Sequence, residues 1–212
     1  MTALVHRPLQ IVRDERRPFL ALNAVAFGLV LLGLVLGLAV PSLHQSQVAT
    51  LDQTGQTDLV LRVFRTPWLF ALTILGVNTL TVGAALIVLP SMVVPFLGIV
   101  LFGWKALTIG MALAPTSPTL WVAFIPHSLT VVVEFEAYVL LLLGAWVLGR
   151  SWLRPASLGA TSRRRAYLLG LQRLGWLSAA SFVLLVVGAV WEAYSLTQLL
   201  PWLVHTLVGP TR

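Results

Sequence analysis

Apolar runs and polar breaks alternate along this chain with a period set by a membrane rather than by a soluble core. An uncharged stretch opens at Pro18 and continues to Val40, and further apolar stretches follow at 68–89, 93–113, 120–149 and 174–200. A helix needs roughly 20 apolar residues to cross the hydrocarbon of a bilayer, and each run reaches about that length. Prolines and small polar clusters punctuate the runs. Pro67 opens the second, a tight turn from Pro90 to Pro95 leads into the third, and Ala114–Pro118 form the next turn. The stretch His44–Asp58, rich in Gln, Thr and Ser, reads as a loop, and Leu59–Phe64 as a short interfacial segment. The first run resembles a signal peptide only superficially, because it exceeds the usual apolar length and no small-residue cleavage site follows.

The fourth run is too long for one straight crossing: 30 residues at 1.5 Å each give about 45 Å. Pro126 falls inside it. Proline lacks the amide donor and collides with the preceding turn, so the sequence predicts a half-helix, a break at Pro126, and a crossing from His127 to Val147.

Composition turns this pattern into a class. The chain is 58% hydrophobic and 10% charged, with a mean hydropathy of +0.92. Soluble domains average about 45–50% apolar and 25% charged. With no strand periodicity, and with helices able to satisfy their own backbone groups in lipid, the expectation is all-α. It is a polytopic bundle of about five spans, with residues 1–212 as one integral membrane domain. The absence of cysteine excludes disulfides, thiolate metal sites and a cysteine nucleophile.

The net charge of +7 belongs to topology, not to nucleic acid. Arg7, Arg13, Arg16 and Arg17 precede the first run, and Arg150, Arg154, Arg163, Arg164, Arg165 and Arg173 lie in a basic connection before the fifth. With five crossings these ten fall on one side, against Arg62, Arg65 and Arg212 on the other. Positive residues stay inside, which predicts a multi-pass protein of the cell membrane with a cytoplasmic N-terminus.

Ionisable groups at membrane depth are expensive and therefore informative. Glu134, Glu136, Glu192, Lys105 and His127 all fall within apolar runs. His127 and Glu134 are seven residues apart and share a helix face, whereas Glu136 points about 200° from Glu134 at 100° per residue. Lys105 is the natural counter-ion for one glutamate. Together they form a candidate intramembrane polar cluster, serving either helix packing or the movement of an ion or ligand. Gly33 and Gly37 in the first run, and Gly98, Gly103 and Gly110 in the third, permit close helix approach, within the chain or in a dimer. Trp68, Trp121, Trp152 and Trp202 near the run ends suit interfacial anchoring. No Walker loop, HExxH or GxSxG occurs, and the four histidines are scattered. No catalytic residue, metal or cofactor is expected.

Several short motifs then align in order. Asn78 and Gly83 stand in the second run, followed by Ile125-Pro126-His127-Ser128, Glu134-Phe135-Glu136-Ala137, the small-residue segment Gly144–Gly149, and Ala189-Val190-Trp191-Glu192-Ala193-Tyr194. In this order they resemble the stage II sporulation protein M family, over about residues 70–200. That family carries a Pro-His-Gly motif, a Glu-x-x-Ala and a late Glu-Ala-aromatic. Ser128 replaces the usual glycine, and Phe102-Gly103 stands where Asn-Gly is common. The resemblance makes Asn78, Pro126, His127, Glu134, Ala137 and Glu192 family-motif positions. It implies a non-enzymatic scaffold or complex subunit. Its expected partners are other membrane or envelope proteins, the lipid bilayer and, as a homo-oligomer, its own copies. The alternative from the residues alone is a permease-like subunit of a transporter or exporter powered by a separate ATPase. An intramembrane enzyme using His127 and a glutamate ranks third, for want of a nucleophile.

Overall fold

The computed structural model describes residues 2–53, 63–64 and 66–207. The longer helices are α1 (Thr2–Asp14), α2 (Arg16–Ala39), α3 (Pro41–Gln53), α4 (Pro67–Val93), α5 (Leu97–Ala112), α6 (Pro118–Leu153) and α7 (Arg163–Leu207), with one short 3-10 turn, Pro155–Leu158, between α6 and α7. No strand occurs among the described residues. The protein is thus an all-α helical bundle. α2, α4, α6 and α7 are long and apolar enough to cross a membrane, and α5 is a shorter apolar helix of 16 residues, about 24 Å long at 1.5 Å per residue.

The side chains explain why lipid is the solvent. In α2 the buried positions are Leu22, Ala26, Val30, Gly33 and Gly37, a stripe at helical spacing. The opposite face exposes Leu31, Leu32 and Val35, where a helix in water would carry polar residues. α7 does the same with Val183, Val187 and Val190. α6 is the central helix: 61% of its most apolar window is buried within the chain, against 17% for α2 and α4. Its Phe135 and Tyr138 meet Phe102 of α5 at 5.5 and 5.3 Å between ring centroids, and Phe27 of α2 adds a fourth ring 5.7 Å from Phe135.

Cross-contacts fix the order of the helix ends. Glu15, only 6% exposed, accepts hydrogen bonds from both terminal guanidinium nitrogens of Arg150, with Nη1 to Oε2 at 2.8 Å, and Arg173 Nη1 lies 3.9 Å from Oε1. The Tyr167 hydroxyl donates to the Met92 carbonyl at 3.0 Å. The start of α2, the end of α4, the end of α6 and the start of α7 therefore share one end of the bundle, the arginine end. At the opposite, far end α3 folds back, and His44 Nδ1 donates to the Met111 carbonyl at 3.1 Å, satisfying an acceptor that the end of α5 leaves open. The chain passes between the two ends five times, through α2, α4, α5, α6 and α7.

Several expectations need correction. α6 is not broken at Pro126; it runs through from Pro118 to Leu153. Pro126 removes one amide donor, leaving the Val122 carbonyl without its helical partner, and side-chain contacts brace the backbone beside that single gap. Ser128 Oγ donates to the Ile125 carbonyl at 2.7 Å, and the indole of Trp191 donates to the Pro126 carbonyl at 3.3 Å. The stretch from His44 is helical as far as Gln53, not a loop. The basic connection is short, because α7 begins at Arg163 and carries Arg163, Arg164, Arg165 and Arg173. α4 likewise continues through Pro90, and only residues 94–96 make the turn. There Phe96 adopts the left-handed conformation at φ 67°, held by its ring against Trp146 at 5.1 Å. Most of the segment expected at the interface, Leu59–Phe64, lies outside the described residues, as do Arg62, Arg65 and Arg212.

Candidate functional site

Four helices line a partly open cavity of about 320 Å³ in the far half of the bundle. α6 supplies His127, Glu134 and Tyr138, which share one face by their spacing of seven and four. α4 supplies Asn78, α5 Lys105, and α7 Glu192. Phe70 and Phe135 are apolar walls.

The polar groups form a connected chain. Asn78 Nδ2 donates to Glu134 Oε1 at 2.5 Å. The carboxyl groups of Glu134 and Glu192 lie within hydrogen-bonding reach of each other, and Glu192 Oε1 lies 3.6 Å from His127 Nδ1. The next residue, Trp191, ties α7 to the Pro126 carbonyl. One continuous set of contacts therefore joins α4, α6 and α7. Small residues make room for it: a Cβ on Gly188 would sit 3.2 Å from Glu134 Cγ.

Backbone irregularity flanks the cluster on two helices. α4 widens into π-helical geometry over Asn78–Val88, opening at the residue that holds Glu134. α7 does so over Ser195–Leu199, just past Glu192. Such segments recur at functional sites. Hydroxyls support them: Thr81 Oγ1 donates to the Val77 carbonyl at 2.5 Å and Thr197 Oγ1 to the Ala193 carbonyl at 2.6 Å.

The sequence-selected residues divide clearly. His127, Glu134 and Glu192 come together, with Asn78 as a partner. Lys105 lines the same cavity but forms no ion pair among the described residues, so it is not in contact as a glutamate's counter-ion. Glu136 does not line the cavity, as its angular offset required. Ala137 is fully buried packing. Sequence reasoning missed Tyr138, the Trp191–Pro126 contact and the Glu15–Arg150–Arg173 clamp. The partners in the last are 135 residues apart for Glu15 and Arg150, and no local pattern announces such a pair. Among the described residues no three His, Asp or Glu side chains are placed to hold a metal ion together. Chemically, the arrangement can hold charge in a low-dielectric cavity, bind a small polar molecule, or lock three helices in register.

Fold and site together define a polytopic α-helical membrane protein with a buried polar cluster. No family model, no curated protein and no solved structure matches the chain.

Proposed function

We propose that this chain is a non-enzymatic scaffold or subunit of a membrane protein complex, of the kind implied by its resemblance to the stage II sporulation protein M family. The observation that carries this reading is the unbroken polar chain Asn78–Glu134–Glu192–His127 across α4, α6 and α7. Polar groups that meet one another across helices specify packing, and a scaffold needs one rigid arrangement to present to its partners. The apolar outer faces of α2 and α7 are available to membrane partners or lipid. Purification in mild detergent, with cross-linking before extraction, tests the reading. A defined set of co-purifying membrane or envelope proteins, recovered with Glu134→Gln but lost with Glu134→Leu, is the expected result. A chain that cross-links to nothing in its native membrane contradicts it.

A second reading, a permease-like subunit of a transporter powered by a separate ATPase, draws on the cavity itself. Ionisable residues at membrane depth mark pathways as well as joints. Lost flux with normal complex recovery in Glu134→Gln favours this reading over the first.

The same proposal places the N-terminus in the cytoplasm of the cell. The arginines of α1 and the start of α2 (Arg7, Arg13, Arg16, Arg17) and those from Arg150 to Arg173 gather at the end where Glu15 meets Arg150, which supports this orientation under the positive-inside rule. Cysteines introduced at Ser46 and Thr161, both exposed, should label from opposite sides, Ser46 from outside. Thr161 is preferable to Ser162, whose hydroxyl caps α7 by accepting from the Arg165 amide at 3.3 Å. Labelling of both from outside overturns the orientation.

A further inference from the structure

The cavity has two electrical poles. At one, the carboxyl groups of Glu134 and Glu192 lie side by side, flanked by Asn78 and His127. At the other stands Lys105, half-buried and without an ion pair among the described residues. Both poles line the same space of about 320 Å³, at the small end of ligand-pocket volumes, which start at roughly 300 Å³. A structural ion pair would bring Lys105 into contact with a carboxylate. Here Lys105 on α5 lines the same pocket as the carboxyls of α6 and α7 without coming within ion-pair distance of either.

We infer that this cavity binds a small zwitterion of amino-acid size, its ammonium group at Glu134 and Glu192 and its anionic group at Lys105. Electrostatics selects this class. A simple cation gains the carboxyl pole but meets Lys105, and a simple anion gains Lys105 but meets the carboxyl pole. A molecule with both charges, a few bonds apart, satisfies both poles at once. In a low-dielectric site such complementarity is strong. The amide of Asn78 and the phenol of Tyr138 add polar contacts on the cavity wall, and Phe70 and Phe135 accommodate the connecting methylenes. This inference is independent of the scaffold reading, since a scaffold with an unliganded cavity would assemble equally well.

Isothermal titration of the full chain in nanodiscs tests it. Glycine and 4-aminobutyrate are the zwitterionic probes; butylamine and butyrate carry one charge each. Saturable binding of at least one zwitterion is expected, with each single-charge analogue about tenfold weaker or more, since loss of one charge-assisted contact costs that much. Lys105→Gln and Glu134→Gln should each weaken zwitterion binding by about the same factor. Glu136→Gln, outside the cavity, should leave it unchanged. Circular dichroism and thermal unfolding of each variant separate lost binding from lost fold. Failure of both zwitterions to bind, butylamine binding as tightly as 4-aminobutyrate, or undiminished affinity in a folded Lys105→Gln variant each overturns the proposal.

Discussion

The bundle joins its helices in two different ways. The α2–α5 seam is made of backbone on backbone. A Cβ at Gly33 would sit 2.1 Å from the Leu107 carbonyl oxygen, and one at Gly110 would sit 2.1 Å from that of Val30. No room remains there for any side chain. The α4–α6–α7 seam instead leaves a cavity and spans it with side chains, Asn78 to Glu134 to Glu192 to His127. Where close packing supplies the adhesion, glycine suffices and chemistry is absent. Where polar groups supply it, space and charge remain, and that is where a site can exist. Gly33 and Gly37, candidates for a dimer face from their spacing alone, are used within the chain.

The contrast is most easily broken at the glycine seam. Gly110→Leu should have the largest effect, because both sides of the contact are backbone and cannot yield; overpacking costs about 3 kcal/mol or more here. Reversible unfolding in detergent would register this as a large fall in the folded fraction. A mild loss would mean that α2 and α5 are further apart than the structure has them.

The arginine end offers a case between the two. Glu15 is buried and Arg150 is its bidentate partner. Arg150→Met should destabilise by about 3 kcal/mol, the low end for breaking a buried pair, because Arg173 remains nearby as a partial replacement. Adding Glu15→Gln should recover much of the loss, since no uncompensated charge then stays buried. If the double variant is no better than the single one, Arg150 acts by packing and not by charge.

The polar seam should respond to hydrogen bonding more than to volume. Glu134→Leu strands Asn78 and Glu192 and should cost about 1–3 kcal/mol, whereas Glu134→Gln keeps both contacts and should cost little. Equal stability of the two variants removes the structural role of the cluster.

These regions were unequally legible in the sequence. The spans were readable because burial in lipid leaves a long apolar signature, and α2 shows it in full. Hydropathy marks the apolar part of a helix and not its ends, so α7 began eleven residues before its apolar run: Arg163 to Arg173 continue the same helix beyond the hydrocarbon. Pro126 was misread because the bracing of the helix there includes a long-range contact, the Trp191 indole donating to the Pro126 carbonyl from 65 residues on. The site was half legible. Spacing put His127 and Glu134 on one face and turned Glu136 away. It could not tell which groups touch, and so it paired Lys105 with a glutamate where Asn78 makes the contact.

The smallest effect gives the sharpest test, because it reverses sign along one helix. Gly28 and Gly33 both lie in α2, five residues apart. A Cβ at Gly28 meets nothing within 4 Å, while one at Gly33 would strike the Leu107 carbonyl. Alanine costs a helix interior about 0.5–1 kcal/mol less than glycine, so Gly28→Ala should stabilise slightly, by at most that amount. Gly33→Ala should destabilise, because the methyl must push α5 away. Unfolding midpoints of the two variants, measured across a range of protein-to-detergent ratios, decide the matter. Destabilisation by Gly33→Ala at every ratio fits a seam internal to one chain. If Gly28→Ala also destabilises, and only at high protein-to-detergent ratio, then the outer face of α2 is covered by a second copy, and close backbone packing joins chains as well as helices.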